Sequence, residues 1–218
     1  MERQPLTSLR KLLLLGGLLI GEAEVSYGMD YGLGLRMGSV VSPVPAVGLE
    51  TYVGIGDFEI GLSHVTGERN IVGEISSATS AITIEEAIAW ADMTLLEVRY
   101  EILWGINLNL GVGQRTMGLR YKIVDSDTPQ NALAGDLIAK SIVMGHSFGL
   151  RWVGDLFYFG FDGIGHYYPL STTAESSVRF EGNVTGDASA EEDVDDAAAE
   201  LGNVITKQLF LINIGMEF

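Results

Sequence analysis

From Val25 onward the chain alternates with a period of two. Val25, Tyr27, Met29, Tyr31, Leu33, Leu35 and Met37 are apolar or aromatic, while Ser26, Gly28, Asp30, Gly32, Gly34, Arg36 and Gly38 between them are small or charged. Such alternation sends the two sets to opposite faces of an extended strand. It recurs over residues 47–55, 58–62, 96–102, 106–112, 142–152, 157–161 and 210–218, which predicts eight strands. His146 interrupts the sixth. On the fifth the apolar parity changes near Gln114 to Thr116, where a bulge or the edge of a membrane is expected. Tight turns fall at Gly56-Asp57, Trp104-Gly105 and Gly154-Asp155, and longer links at 41–45, 66–91, 125–137 and 171–205. Short connections on one side and long ones on the other predict an all-β, eight-stranded antiparallel up-and-down barrel, the layout of transmembrane barrels of the outer membrane.

A soluble barrel with an apolar interior also alternates with period two. The polar face separates the two. It carries Gly, Ser and Asn interleaved with Asp, Glu and Arg, rather than the Lys, Glu and Thr of a solvent-washed surface. Small residues beside opposite charges suit a narrow lumen, where bulk clashes and charges must pair. The candidate lumen network is Asp30, Arg36, Glu50, Glu59, Glu97, Arg99, Glu101, Arg115, Arg151, Asp162 and Glu217. The opposite rows are nearly free of charge and are expected to face lipid. Tyr27, Trp104, Trp152, Tyr167 and Tyr168, near strand ends, fit aromatic girdles at the membrane surfaces.

The start of the chain has a different character. Arg3, Arg10 and Lys11 precede the apolar run LLLLGGLLIG, and Gly21 and Ala23 follow as small residues two apart. Residues 1–23 therefore read as a secretory signal peptide, and 24–218 as the barrel. The run is too short for a spanning helix, which needs about 20 residues. The 218 residues contain no cysteine, which excludes disulfides, thiolate metal sites and a thiol nucleophile. A formal net charge of −16 argues against nucleic-acid binding through phosphate neutralisation.

Candidate chemistry is sparse. There are three histidines, His64, His146 and His166, and none has metal-ligand spacing to another. Ser147 follows His146 directly, and neighbours in a strand point to opposite faces, so the two are not expected to share a proton. Residues 187–200 carry Asp187, Glu191, Glu192, Asp193, Asp195, Asp196 and Glu200 with no basic residue among them. They read as a solvated, mobile extracellular loop that divalent cations screen. No cofactor is expected.

Residues 209–218, LFLINIGMEF, resemble the terminal strand of Gram-negative outer-membrane proteins, with Phe210, Ile212, Ile214, Met216 and a final Phe218 in alternation. In that family the strand is the signal read by the barrel-assembly machinery. Together with the leader and the eight strands, the chain is similar to the transmembrane domain of outer-membrane protein A. The resemblance implies a monomer in outer-membrane lipid and lipopolysaccharide. With Phe218 as the last residue, no cell-wall-binding domain is expected to follow. The role this implies is structural and surface-interacting, with a polar plugged lumen. The alternatives are a narrow channel of the outer-membrane protein W type and, behind it, a lipid-modifying barrel enzyme.

Overall fold

A computed structural model describes residues 29–41, 44–75, 82–125, 131–182, 188–204 and 206–218. The leader expected at 1–23 lies outside them. The elements are β1 (Met29–Val41), β2 (Val44–Ile55), β3 (Phe58–Asn70), a helical turn α1 (Val72–Ile75), β4 (Ile82–Leu103), β5 (Ile106–Asp125), β6 (Ala132–Val153), β7 (Phe157–Glu181), α2 (Ala188–Asn203) and β8 (Thr206–Glu217). Each strand pairs antiparallel with the next, and β8 returns to β1, so the sheet closes. Closure leaves no sheet edge inside the membrane, where an unpaired backbone group costs several kcal/mol (about 2–7).

The short turns sit at one end. Between Leu103 and Ile106, Trp104 and Gly105 both take positive φ, 48° and 79°. Two positive φ values give the turn whose twist matches the flanking strands. Gly105 adopts this freely, whereas Trp104 is held in a region that disfavours a side chain.

At the other end the wall is uneven. β4 to β7 are 20 to 25 residues long, and β1, β2, β3 and β8 are 12 or 13. Strand therefore extends into the links expected at 66–91, 125–137 and 171–205, over residues 66–70, 82–91, 132–137 and 171–181. Residues 188–203, expected as a mobile loop, form α2 instead. Val194 and Leu201 are half-buried and Ala198 fully buried on one side of this helix, and Asp193, Asp195, Asp196 and Glu200 are exposed on the other. Asp187 lies outside the described residues.

The outer face carries the apolar rows. On β6 the outward residues from the short-turn end are Trp152, Leu150, Phe148, His146, Met144 and Ile142, followed by Lys140. Ten steps at a ~3.3 Å rise, tilted ~40°, make a belt about 25 Å tall, the height of a barrel's lipid-facing band. Leu96, Val98 and Tyr100 on β4 and Leu110 and Val112 on β5 continue it, all exposed. This is the surface of a transmembrane barrel. β6 runs unbroken through His146, which faces outward as one more member of the row.

Of the two causes expected for the parity change on β5, a bulge and the membrane edge, the bulge does not occur. Register with β4 and β6 continues without a shift through Gly113, Gln114, Arg115 and Thr116. What changes is the surroundings. Above the belt the outer face meets water and turns polar, with Gln114, Thr94 and Lys140, while the inner face turns apolar. Ala46, Val65, Met93, Leu95, Val143, Tyr167 and Leu211 pack there as a buried cluster. The aromatics expected as girdles divide accordingly: Trp104, Trp152 and Tyr168 are exposed, Tyr167 lies inside, and Tyr27 is outside the described residues.

Val98 stands in the middle of the outward row on β4. Val98→Arg places a charge near the midplane and is expected to destabilise the barrel by about 2–4 kcal/mol. Gln114→Arg, one row above the belt, should cost about 0–1 kcal/mol. Urea unfolding in phospholipid vesicles measures both. Equal costs would show that Val98 does not face lipid.

Candidate functional site

The lumen below the apolar cluster is charged. Arg36 on β1, 2% exposed, projects across it. Its Nε meets Glu50 Oε2 of β2 at 2.8 Å, Nη1 meets Glu97 Oε2 of β4 at 2.7 Å, and Nη2 meets Asp162 Oδ2 of β7 at 3.1 Å. A second guanidinium, Arg99 on β4, lies 2.8 Å from Glu59 of β3, 3.5 Å from Glu50 and 3.6 Å from Asp162. Arg151 on β6 completes the set, 2.6 Å from Glu59 and 3.9 Å from Glu217 of β8. Its guanidinium carbon is stacked 4.0 Å from the Tyr52 ring and 3.8 Å from the Tyr158 ring. Cation–π contacts of this kind strengthen when desolvated.

Neutral side chains add hydrogen bonds to three of these carboxylates. Tyr158 donates to Glu50 Oε1 at 2.6 Å and Tyr52 to Glu217 at 2.5 Å. Asn109 of β5 donates to Asp162 Oδ1 at 2.9 Å and to Ser147 at 3.2 Å, and Asn213 of β8 donates to Asp162 Oδ2 at 2.6 Å. All eight strands thus contribute to one network. Glycine makes the room for it: a Cβ on Gly34 would meet the Tyr158 hydroxyl.

Of the eleven residues read as lumen charges, eight meet in this network: Arg36, Glu50, Glu59, Glu97, Arg99, Arg151, Asp162 and Glu217. Three stand elsewhere. Asp30 is exposed, and exposed Glu101 accepts a hydrogen bond from the Gly105 N–H at 2.9 Å. Both lie towards the short-turn rim, where water solvates them. Arg115 faces inward but higher, above the apolar cluster. Its Nη1 donates to the Val204 carbonyl and to the Thr206 hydroxyl, and its Nη2 to the Gly202 carbonyl at 2.6 Å and to Ser141 at 3.3 Å. It caps the C-terminal end of α2, whose free carbonyls carry partial negative charge. Sequence reasoning missed Tyr52, Tyr158, Asn109 and Asn213 as network members. Each shares the parity of the charges on its own strand, and that was the available signal.

Of the terminal-strand residues, Ile214, Met216 and Phe218 are exposed and Ile212 half-buried, on the face opposite Asn213. Nothing is described of the Phe210 side chain. The histidines all lie on the outer face. His146 and His166 are register partners with ring centroids 6.0 Å apart, and Ser147 faces the lumen. His64 Nδ1 is 2.9 Å from the Thr94 hydroxyl and its Nε2 is 3.6 Å from Asp92. Among the described residues no cluster of three or more His, Asp or Glu is arranged to hold a metal ion. Above the belt Arg120–Asp136, Lys122–Glu85 and Lys140–Glu175 are partly or fully exposed pairs. In one of them Lys122 meets Glu85 at 2.8 Å, and this hydrogen bond and charge raise the ammonium's pKa. Exposed pairs of this kind contribute little to stability.

No protein-family model and no curated protein matches this sequence. Among solved structures the chain is similar to a major outer membrane protein from Thermus thermophilus, with 11% identity, TM-score 0.48, and coverage of 88% of this chain and 99% of that one. It is also similar to CarO of Acinetobacter baumannii, with 14% identity, TM-score 0.45, and coverage of 86% and 96%. A third is Ail, the attachment invasion locus protein of Yersinia pestis, with 8% identity, TM-score 0.43, and coverage of 87% and 96%. Identities this low say nothing about role, and superpositions this loose add nothing to the barrel seen directly.

Two substitutions test the architecture of the lumen. Arg36→Met leaves Glu50, Glu97 and Asp162 short of a shared partner, and breaking a buried ion pair from one side costs about 3–5 kcal/mol. Asp30→Asn, at the wet rim, should stay within about 0.5 kcal/mol of the native protein. Vesicle unfolding separates the two. Arg115→Met should release α2 without opening the barrel. Faster amide exchange over 188–203, with unchanged exchange in β1 to β3, is the expected result; unchanged exchange in α2 would sever the link.

Proposed function

We propose that the chain is a bacterial outer-membrane barrel with a structural and surface-interacting role and a lumen closed to solutes. In this reading the short turns lie in the periplasm, and the tall β4–β7 wall with α2 stands outside the cell. Outer-membrane lipid and lipopolysaccharide surround the belt, and β8 is the strand read during assembly. The observation that carries the reading is the shared network. Three guanidinium groups and five carboxylates meet in a cross-section that eight strands leave only wide enough for side chains. The layer above it is apolar, and α2 packs over that layer at the mouth. A passage for ions would need the reverse, a continuous polar path.

A second reading, a lipid-modifying enzyme, is favoured by the surroundings of His64. Its ring lies between the Thr94 hydroxyl and the Asp92 carboxylate on the first polar row above the apolar belt. A hydroxyl, an imidazole and an acid in sequence are the parts of an activated nucleophile. Release of fatty acid from ester-linked outer-leaflet lipid, abolished by His64→Ala, would establish it.

Planar-bilayer recording tests the first reading. The refolded protein should give no discrete conductance steps above the bare bilayer. A stable open level in the native protein would overturn the closed lumen.

A further inference from the structure

Among the described residues, the taller half of the wall ends in an edge that no strand covers. β7 pairs with β8 only as far as Tyr167 opposite Thr206, whereas on its other side it pairs with β6 up to Glu181. Among the described residues no strand adjoins the second edge of β7 from Ser171 to Glu181. α2 packs on the inner face of this stretch, where Ser176 bonds to Asp195. Ser171, Thr173, Glu175, Ser177, Arg179 and Glu181 are exposed on the outer face. An unpaired edge is a template for another strand. Proteins blunt such edges with proline, bulges or charged side chains, and charges of both signs, as on this stretch, still allow pairing in a register that matches them. Here Pro169 and the adjoining register shift lie below the stretch, and pairing with β6 is regular from Ser171 to Glu181.

We propose that this edge is a self-recognition surface, on which the β7 edge of a second copy adds as an antiparallel strand centred on Ser177. The inference deepens the surface-interaction reading and rests on the tall wall being extracellular. The charges choose the occupant and the register. With Ser177 opposite the second copy's Ser177, Glu175 faces Arg179 and Arg179 faces Glu175, two opposite-charge pairs on one face. A shift of one step in either direction along the series that keeps the faces matched sets Glu175 against residue 177 or against Glu181. Larger shifts oppose Glu175 to itself or Arg179 to itself. Glu175 also meets Lys140 at 3.0 Å, so its carboxylate is already held on the outer face.

The symmetry fixes where the second copy resides. The two-fold axis of an antiparallel strand pair is perpendicular to the sheet, and here that direction lies in the membrane plane. The operation therefore inverts the membrane normal, and the partner stands in an opposing membrane. Ser177 is about 23 Å along β7 from Leu170, the last outward apolar residue, at a ~3.3 Å rise per residue. The contact is small, and its strength between cells comes from many copies acting together.

The chain's lack of cysteine makes the test direct. Single barrels in lipid nanodiscs of two colours, carrying Ser177→Cys, are mixed under mild oxidation. Two-coloured disulfide pairs are expected, with the discs face to face in electron micrographs. Thr173→Cys should give less than a tenth of that yield, because its counterparts lie eight residues apart, about 26 Å. Glu175→Arg or Arg179→Glu, each in the Ser177→Cys background, should cut the yield at least fivefold, and the double reversal should restore it to within twofold. Equal yields from residues 173 and 177, side-by-side discs, absence of pairs from Ser177→Cys, or failure of the double reversal would overturn the proposal. A conducting barrel would refute the closed lumen and leave disc pairing untouched, so the two failures are distinguishable.

Discussion

The interior of this barrel depends on where the charge of Arg36 is met. Its planar fork reaches carboxylates on β2, β4 and β7 at once, tying together walls that hydrogen bonding around the sheet connects only through intervening strands. A lysine could not replace it, because a single ammonium does not hold three directions fixed. Everything at that level is arranged around the same requirement. Glycines on β1 clear space, Tyr52 and Tyr158, their rings inclined 75° to each other, form a corner around Arg151, and asparagines supply donors where another cation would not fit.

Period two made most of this legible in the chain itself. The eight strands follow from parity, the closed antiparallel sheet from parity together with the alternation of short and long links, and the inward row of charges with the outward position of Leu96, Val98 and Tyr100 from the composition of the polar face. Parity tells which face a residue occupies and is silent on height. Asp30 and Glu101 share the parity of the network yet reach the wet rim, and Arg115 shares it yet stands above the apolar layer. The apparent slip on β5 has the same origin. The backbone keeps its alternation, and the solvent outside it changes from lipid to water, so the preferred residue type on each face exchanges.

The upper storey was legible least. α2 was hidden by composition, since a run rich in Asp, Glu and Ala reads as solvated chain when its one buried side is only Val194, Ala198 and Leu201. Its anchor is long-range: Arg115 reaches carbonyls of residues 202 and 204, nearly ninety positions away, and no local spacing announces such a contact. Gly202 shows how close the approach is, since a Cβ there would meet the side chains of Thr172 and Ala139. The uneven strand lengths likewise come from pairing partners rather than from the alternation of any one strand.

The apolar layer between the salt-bridged floor and the helix has a consequence for protons. Val65, Met93, Leu95, Val143 and Leu211 are each no more than 2% exposed and offer no side-chain hydrogen bond. Tyr167 alone in this cluster brings a hydroxyl, so a file of water molecules entering from either end would have to give up most of its hydrogen bonds there. Dry septa of this kind interrupt Grotthuss transfer even when the charged groups beneath them rearrange. In the closed-lumen reading proposed above, the ionised groups beneath this layer do not serve as a path for protons through the barrel.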